Sequence, residues 1–240
     1  MPWYPVVAER DHEIQNPTSA EKIRLLGELL RLGPESRVLD IACGRGGPAL
    51  ILAKRFGCHI TGVERAPEFA VAARERIADA GLADQVEIVE LDAREYPLDS
   101  EAWDVALCLG ATFVWDDLEG TLAALGPTVR PGGRLAVGEP YWRAKPPEGV
   151  DDMGYVSLDE TVSRFEGYGL DTIGAICASR DDWDRYESLH WRAVEEWLSQ
   201  HAGDPEAPDL RRENDEHKHR YLTVGRDFLG WAMLAGWKHA

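Results

Sequence analysis

Residues 38–49, VLDIACGRGGPA, decide the fold of this chain. The apolar start of this stretch predicts a buried strand, and the glycines after it allow a tight turn whose backbone lies open to a ligand. Pro48 suits the first turn of a helix, because the amide that proline lacks would have no partner there. Asp40 stands at the end of the strand. A strand, a glycine turn and a helix in this order predict a cofactor-binding site.

A second acidic residue follows at a spacing that suits a nucleoside. Residues 58–64, CHITGVE, form another β-rich run that ends in Glu64. An acid about twenty residues after the glycine turn reaches the ribose hydroxyl groups of a nucleotide held over that turn. Asp40 and Glu64 are therefore predicted to face one nucleoside. Two solvated acids at strand ends are the structural alternative.

The motifs resemble those of the class I methyltransferases that use S-adenosylmethionine. In that family an acid is followed by alternating small residues, matched here by Asp40, Ala42, Gly44 and Gly46, with alanine at the usual first glycine. Alanine would be a liability if this residue had to take positive φ. The resemblance covers roughly residues 16–139 and continues, in order, through Val63-Glu64, Leu91-Asp92-Ala93, Leu107 to Ala111 and Pro131 to Leu135.

The resemblance implies S-adenosylmethionine as the cofactor, a small molecule as the methyl acceptor, and in-line displacement as the reaction. It points to a poorly characterised bacterial subgroup, in which an arm like HEIQNPTS covers the methionine end of the cofactor. Glu64 corresponds to the ribose acid, and Asp92 with Ala93 to the adenine loop. By position, the implied cofactor contacts are Asn16, Asp40, Ala42, Gly44, Gly46, Glu64, Arg65, Asp92, Ala93 and Leu109.

Two other functions stay open. Residues 44–49 also satisfy the G-x-G-x-x-A pattern of NAD(P)-dependent oxidoreductases. A dehydrogenase strand normally enters its glycine turn with apolar residues, however, so Asp40 and the Asp92-Ala93 pair favour the methyltransferase. A non-catalytic S-adenosylmethionine-binding protein would keep the same pocket. Titration with the cofactor separates the oxidoreductase from the other two, and transfer of a labelled methyl group separates the enzyme from the binder.

The wider pattern alternates strands with helices, which predicts parallel β-α-β units and an α/β, Rossmann-like fold. Seven strands are expected in a mostly parallel sheet flanked by helices, with ligands at the carboxyl ends of the strands. The predicted strands are 37–42, 58–63, 85–91, 103–109 and 133–139, then a sixth within 170–179 and a last within 230–240. The predicted helices of the core are 47–56, 67–80, 117–125 and 158–168.

At 240 residues the chain fits a single methyltransferase domain. Thr18 and Glu21 predict a capping box at the start of its first core helix. Between the last two strands the periodicity is helical and rich in aromatic residues, which predicts an inserted pair of helices that caps the site. The proposed divisions are an N-terminal arm (1–17), the cofactor-binding core (18–139), a substrate-side loop, helix and sixth strand (140–180), the helical insertion (181–228) and the last strand (229–240).

Composition restricts the partners. The net charge is −17 at pH 7 and no basic patch is evident, which argues against a nucleic-acid substrate. The cysteines form no C-x-x-C pair, so no metal site is expected and reduced thiols are predicted: Cys43, Cys58, Cys108 and Cys177. No long apolar run or targeting segment is evident, so a cytoplasmic protein without a membrane partner is expected. The oligomeric state stays open.

The acceptor site is predicted from aromatic residues that follow the fourth and fifth strands: Phe113, Trp115, Tyr141 and Trp142. Methyl transfer from a sulfonium requires mainly positioning and exclusion of water, so no catalytic residue is assigned. The candidates for a general base are His12, Glu139 and Tyr141, with His190 in the insertion as a further histidine.

Overall fold

The computed structural model describes residues 4–239. Its centre is a sheet with the strand order β3-β2-β1-β4-β5-β7-β6, in which β7 pairs antiparallel with both neighbours and the other pairs are parallel. The predicted seven-stranded, mostly parallel sheet is confirmed. The strands are β1 (Arg37–Ile41), β2 (His59–Glu64), β3 (Val86–Glu90), β4 (Trp103–Leu109), β5 (Val129–Trp142), β6 (Leu170–Cys177) and β7 (Leu229–Lys238).

Helices cover both faces of the sheet and bury a separate apolar core on each. The first core packs α2, α3 and α4 against the strands, and the second packs α5 and α6 on the opposite face. Among residues 4–239, no helix combines the length and apolar character needed to cross a bilayer. The helices are α1 (Tyr4–Ala8), α2 (Ala20–Leu29), α3 (Gly47–Phe56), α4 (Pro67–Asp79), α5 (Leu118–Leu125), α6 (Leu158–Glu166), α7 (Arg180–Gln200), α8 (Ala207–Arg220) and α9 (Arg226–Phe228).

The glycine turn joins β1 to α3 as the local pattern predicts. Gly46 caps α3 at φ +73°, and a Cβ there would lie 3.2 Å from the Cβ of Ala73 on α4. A larger residue would therefore push the two helices apart. Ala42 takes φ +52°, the left-handed region that favours glycine. The alanine at the family's usual first glycine is thus strained in this fold.

Strand β5 is longer than predicted. It begins at Val129 rather than residue 133 and passes through an irregular stretch in which Gly132 takes φ +75°. At its far end it stays paired with β7 as far as Trp142 opposite Leu229. Tyr141 and Trp142 therefore lie within the strand, and the prediction that they follow it is wrong.

The first core helix is capped one residue later than predicted. Ser19, not Thr18, is the N-cap of α2, and its hydroxyl accepts a hydrogen bond from the amide of Lys22 at 3.3 Å. The amide of Thr18 instead donates to the carbonyl of Asn16, which turns the chain before the helix. This turn aims residues 15 and 16 at the ends of β1 and β4.

The N-terminal arm and the segment between β6 and β7 pack together. The described part of the arm contains α1, whose Val7 and Ala8 are buried in one cluster with Val194 of α7 and Leu210 of α8. Residues 1–3 lie outside the described residues. These three helices form a third apolar cluster, which fixes the arm beside the carboxyl ends of the strands.

The ring of Tyr141 lies over Gly230, its partner across β5 and β7. A Cβ at Gly230 would stand 2.3 Å from the Tyr141 ring, so Gly230→Ala must displace a buried aromatic side chain. We expect the free energy of unfolding to fall by about 1–3 kcal/mol, as overpacked cores do. Urea denaturation measures this change.

The matched control is Gly126→Ala, because Gly126 has negative φ and open space around its Cβ position. Its unfolding free energy should change by less than about 1 kcal/mol. Equal stabilities for the two variants would show that Tyr141 does not pack over Gly230.

Candidate functional site

A cavity of about 420 Å³ opens at the carboxyl ends of β1, β2, β3 and β4. It is the edge of the sheet at which ligands bind in open α/β folds. Gly46 lies in the adjoining turn but not in the wall. The other nine residues predicted to contact the cofactor line the cavity: Asn16, Asp40, Ala42, Gly44, Glu64, Arg65, Asp92, Ala93 and Leu109.

Glu64 holds the glycine turn and faces the cavity. One carboxylate oxygen accepts a hydrogen bond from the amide of Gly44 at 2.9 Å, and the other accepts from the amide of Ala66 at 2.8 Å. Burial raises the pKa of this carboxyl despite the two backbone donors. Each carboxylate oxygen can accept a second hydrogen bond. The side chain is therefore fixed in place with acceptor capacity for a pair of hydroxyl groups.

Asp40 is buried beside Glu64. Its Oδ2 has no hydrogen-bond partner among the described residues, and burial, followed by the charge of Glu64, raises the pKa of Asp40 to about 7. A buried carboxylate without a partner is unfavourable unless a positive group neutralises it. The sulfonium and ammonium groups of S-adenosylmethionine would supply that charge. The orphaned oxygen thus fits the methionine end of this cofactor.

The arm completes the wall next to the glycine turn. The side-chain oxygen of Gln15 accepts from the amide of Arg45 at 2.6 Å, and the side-chain nitrogen of Asn16 donates to the carbonyl of Leu109 at 2.9 Å. Glycine is required at the two positions beneath them. A Cβ at Gly44 would lie 2.2 Å from Gln15, and one at Gly110 would lie 2.1 Å from Asn16.

The end of the cavity near β3 combines apolar walls with one carboxylate. Ala93 and Phe69 are buried there, while Oδ1 of Asp92 accepts from the amide of Arg94 at 2.9 Å. Arg65 reaches Asp92 at 4.0 Å across the mouth. Flat apolar surfaces with a polar acceptor at the edge suit an aromatic base. This geometry is compatible with the adenine position that the motifs predict.

Some residues of the cavity wall were missed by sequence reasoning. Pro5, Glu9 and Gln15 come from the arm, and Tyr186 comes from α7. In the arm, the sequence predicts only Asn16 as a cofactor contact and His12 as a candidate base. Tyr186 follows the helical spacing of residues that pack a helix. Its neighbour Trp183 does pack in this way, stacked on Tyr221. No local signal distinguishes Tyr186, which reaches the cavity, from Trp183 on the same helix.

A second cavity of about 430 Å³ adjoins the first, and Gly110 and Phe113 line both. Glu139 lies in its wall and accepts a hydrogen bond from the hydroxyl of Thr112 at 2.7 Å. Burial raises the pKa of Glu139 to about 7, and the nearby carboxylates of Glu119 and Asp117 act in the same direction. A carboxyl with this pKa can exchange a proton near neutral pH.

Several predicted residues lie away from both cavities. Trp115 packs against the second core, Tyr141 is buried in it, and the indole of Trp142 donates to the carbonyl of Asp152 at 2.9 Å. His12 is buried against Tyr186 and His190, and burial lowers its pKa to about 4. Of the candidate bases, Glu139 is the one that the structure brings to a cavity wall.

Comparisons with known proteins agree with this geometry. Residues 38–133 match the family model described as "Methyltransferase domain". Methyltransferases from Thiobacillus denitrificans and Geobacter sulfurreducens, both solved with S-adenosyl-L-homocysteine, are 32% and 33% identical, with TM-scores of 0.91 and 0.92 and 98% coverage of each chain. The 27-O-demethylrifamycin SV methyltransferase of Amycolatopsis mediterranei is 30% identical over 76% of this chain and 73% of its own length.

The raised pKa of Asp40 predicts proton release when a cationic ligand binds. Below pH 7 this carboxyl is largely protonated, and a nearby ammonium group lowers its pKa, so a proton must leave. Affinity for S-adenosylhomocysteine should therefore rise with pH up to about 7. Calorimetry at about pH 6 in two buffers of different ionisation enthalpy measures the released proton.

Asp40→Asn should abolish this release, whereas Glu139→Gln should keep it although Glu139 has a similar pKa. If the measured heat does not depend on the buffer in the unmodified protein, Asp40 does not face the charged end of the ligand.

Proposed function

Since this chain belongs to the S-adenosylmethionine-dependent methyltransferases, we propose that it transfers the methyl group to a small molecule by in-line displacement. The observation that supports this proposal is the wall that two cavities share at Gly110 and Phe113. A donor and an acceptor bound on either side of these two residues would lie next to each other. Positioning of this kind supplies most of what a displacement at an activated methyl group requires.

We infer a part for each residue that was predicted to contact the cofactor. In this proposal Glu64 binds the ribose hydroxyl groups, Asp92 and Ala93 bind adenine, and Arg65 covers its edge. Asp40 faces the cationic end, and Asn16 with Leu109 forms the wall beside it. Ala42, Gly44 and Gly46 shape the turn. When bound, S-adenosylmethionine supplies a methyl group on a positively charged sulfur, which is a good leaving group.

The acceptor is proposed to be neutral or cationic. Asp116, Asp117, Glu119 and Glu139 all line the second cavity, whereas its arginine, Arg164, is paired with Glu119 and Glu160. A volume of about 430 Å³ is in the range of small-molecule sites. The net charge of −17 disfavours a polyanion such as nucleic acid. The relative named for 27-O-demethylrifamycin SV also acts on a small molecule, by its name.

Glu139 is the proposed general base for an acceptor that arrives protonated. Its carboxyl is half-buried in the wall of the acceptor cavity, accepts a hydrogen bond from Thr112, and has a pKa of about 7. A base with this pKa is half ionised near neutral pH and can still take a proton effectively. The carboxylate would remove the proton of the nucleophile as the new bond to carbon forms.

The domain organisation and the cellular location are also proposals. We propose a single domain over residues 1–240, with 18–139 binding the cofactor and 181–228, together with the arm, capping it. The contact of Tyr186 with the cavity supports the cap. The four cysteines are free, which is typical of reducing compartments and supports a cytoplasmic location.

Replacing Glu139 should slow methyl transfer without weakening the cofactor site. In Glu139→Gln the nucleophile loses its base, so we expect transfer at pH 7 to fall by about 10²–10⁴-fold. The assay incubates the protein with methyl-labelled S-adenosylmethionine and a metabolite extract, and follows label in the small-molecule fraction. Calorimetric affinity for S-adenosylhomocysteine should be unchanged.

The matched control is Glu160→Gln, an exposed carboxylate on α6 outside both cavities. Label recovered in nucleic acid would contradict the small-molecule acceptor. Cofactor binding without any transfer would favour a non-catalytic binder, and full transfer by Glu139→Gln would remove Glu139 from the mechanism.

A further inference from the structure

A cluster of ligand-type side chains lies where α7 and α8 meet, outside both cavities. Glu187 and His190 stand one turn apart on α7, and His217 faces them from α8. One oxygen or nitrogen atom from each residue lies within 4.8 Å of the others. Glu187 is 3% exposed and His190 is 4% exposed, while His217 is partly exposed and forms the outer side of the cluster.

Several polar atoms of this cluster are buried without a hydrogen-bond partner among the described residues. Neither ring nitrogen of His190 has a hydrogen-bond partner among residues 4–239, and neither does Oε2 of Glu187. Nδ1 of His217 lies 3.3 Å from that oxygen, but the geometry is not that of a hydrogen bond. Leaving a buried polar group unpaired costs about 1–3 kcal/mol, so this arrangement calls for a further partner.

We propose that Glu187, His190 and His217 bind a divalent transition metal ion of the zinc type. Two imidazoles and one carboxylate form a donor set that zinc accepts, with ligand distances of about 2.0–2.2 Å. Only small rotations of the three side chains are needed to bind one ion, because their ligand atoms already lie within 4.8 Å of one another. A metal would satisfy the orphaned atoms that protein groups leave unpaired.

A second carboxylate, that of Glu9 in the arm, lies near His190. Oε1 of Glu9 lies 3.7 Å from Nε2 of His190 and accepts a hydrogen bond from the hydroxyl of Tyr186 at 3.0 Å. Histidine ligands of metals commonly donate their other ring N–H to such a carboxylate, which fixes the ring. One nitrogen of His190 can therefore bind the metal while the other faces Glu9.

The proposed site also connects to the cofactor cavity. Oε2 of Glu9 accepts a hydrogen bond from the side-chain amide of Gln15, which in turn accepts from the backbone amide of Arg45 in the glycine turn. A metal would thus hold the arm, α7 and α8 together at the point where Glu9 and Tyr186 enter the cavity wall. Its role would be structural, namely to hold the arm, α7 and α8 in place over the cofactor cavity.

Zinc binding tests this proposal directly on the full chain, without a histidine tag and after treatment with a chelator. Calorimetry with Zn²⁺ should give one site per chain, and Zn²⁺ should raise the unfolding temperature by binding the folded state. His217→Gln should weaken Zn²⁺ binding about a hundredfold or more, since loss of a supporting residue alone costs about 10–100-fold. Glu187→Gln should have the same effect.

His219→Gln is the matched control, because His219 is exposed on the same helix and should leave Zn²⁺ affinity unchanged. Asp92→Asn should also leave Zn²⁺ affinity unchanged, which excludes the partly exposed carboxylate of Asp92 in the cofactor cavity as a ligand. The proposal is overturned if the unmodified protein binds no Zn²⁺. It is equally overturned if folded His217→Gln and Glu187→Gln bind Zn²⁺ as the unmodified protein does.

Discussion

The pair of hydrogen bonds that Glu64 accepts from the amides of Gly44 and Ala66 organises the site. It joins the end of β2 to the turn after β1, so the glycine turn cannot move without breaking it. Two other parts of the site are positioned by this turn. The side chain of Gln15 accepts a hydrogen bond from the amide of Arg45, and α3 begins at Gly47. One carboxylate thus sets the shape of the cavity and, we propose, binds the ribose.

This arrangement places two buried carboxylates beside each other. Burial raises the pKa of both, and the charge of Glu64 contributes to the value of about 7 for Asp40. When the pKa of a carboxyl is raised in the folded state, the free energy of unfolding falls as pH rises from the unfolded pKa, about 4, to the folded pKa. The buried negative charge therefore destabilises the unliganded site, and a cationic ligand would offset this cost, as expected of a binding site.

Local patterns predicted the parts of the fold that depend on neighbouring residues. Helix α3 falls at the predicted residues 47–56, because its proline, glycine turn and apolar spacing are all local. The predicted bounds of β5 were wrong at both ends, since Val129 pairs with Trp103 of β4 and pairing with the distant β7 extends the strand to Trp142. The arm contacts of Glu9 and Gln15, and the Tyr186 side chain in the wall, also arise from long-range packing that no local signal reveals.

We propose that the first cavity holds the cofactor with its sulfur facing Gly110 and Phe113, which also line the second cavity. A crystal structure of the complex with S-adenosylhomocysteine tests this most directly. We expect the ribose hydroxyl groups on Glu64, the base beside Asp92 and Ala93, and the sulfur directed toward Gly110 and Phe113. A ligand bound with its sulfur directed away from Gly110, or a ribose without contact to Glu64, would contradict it.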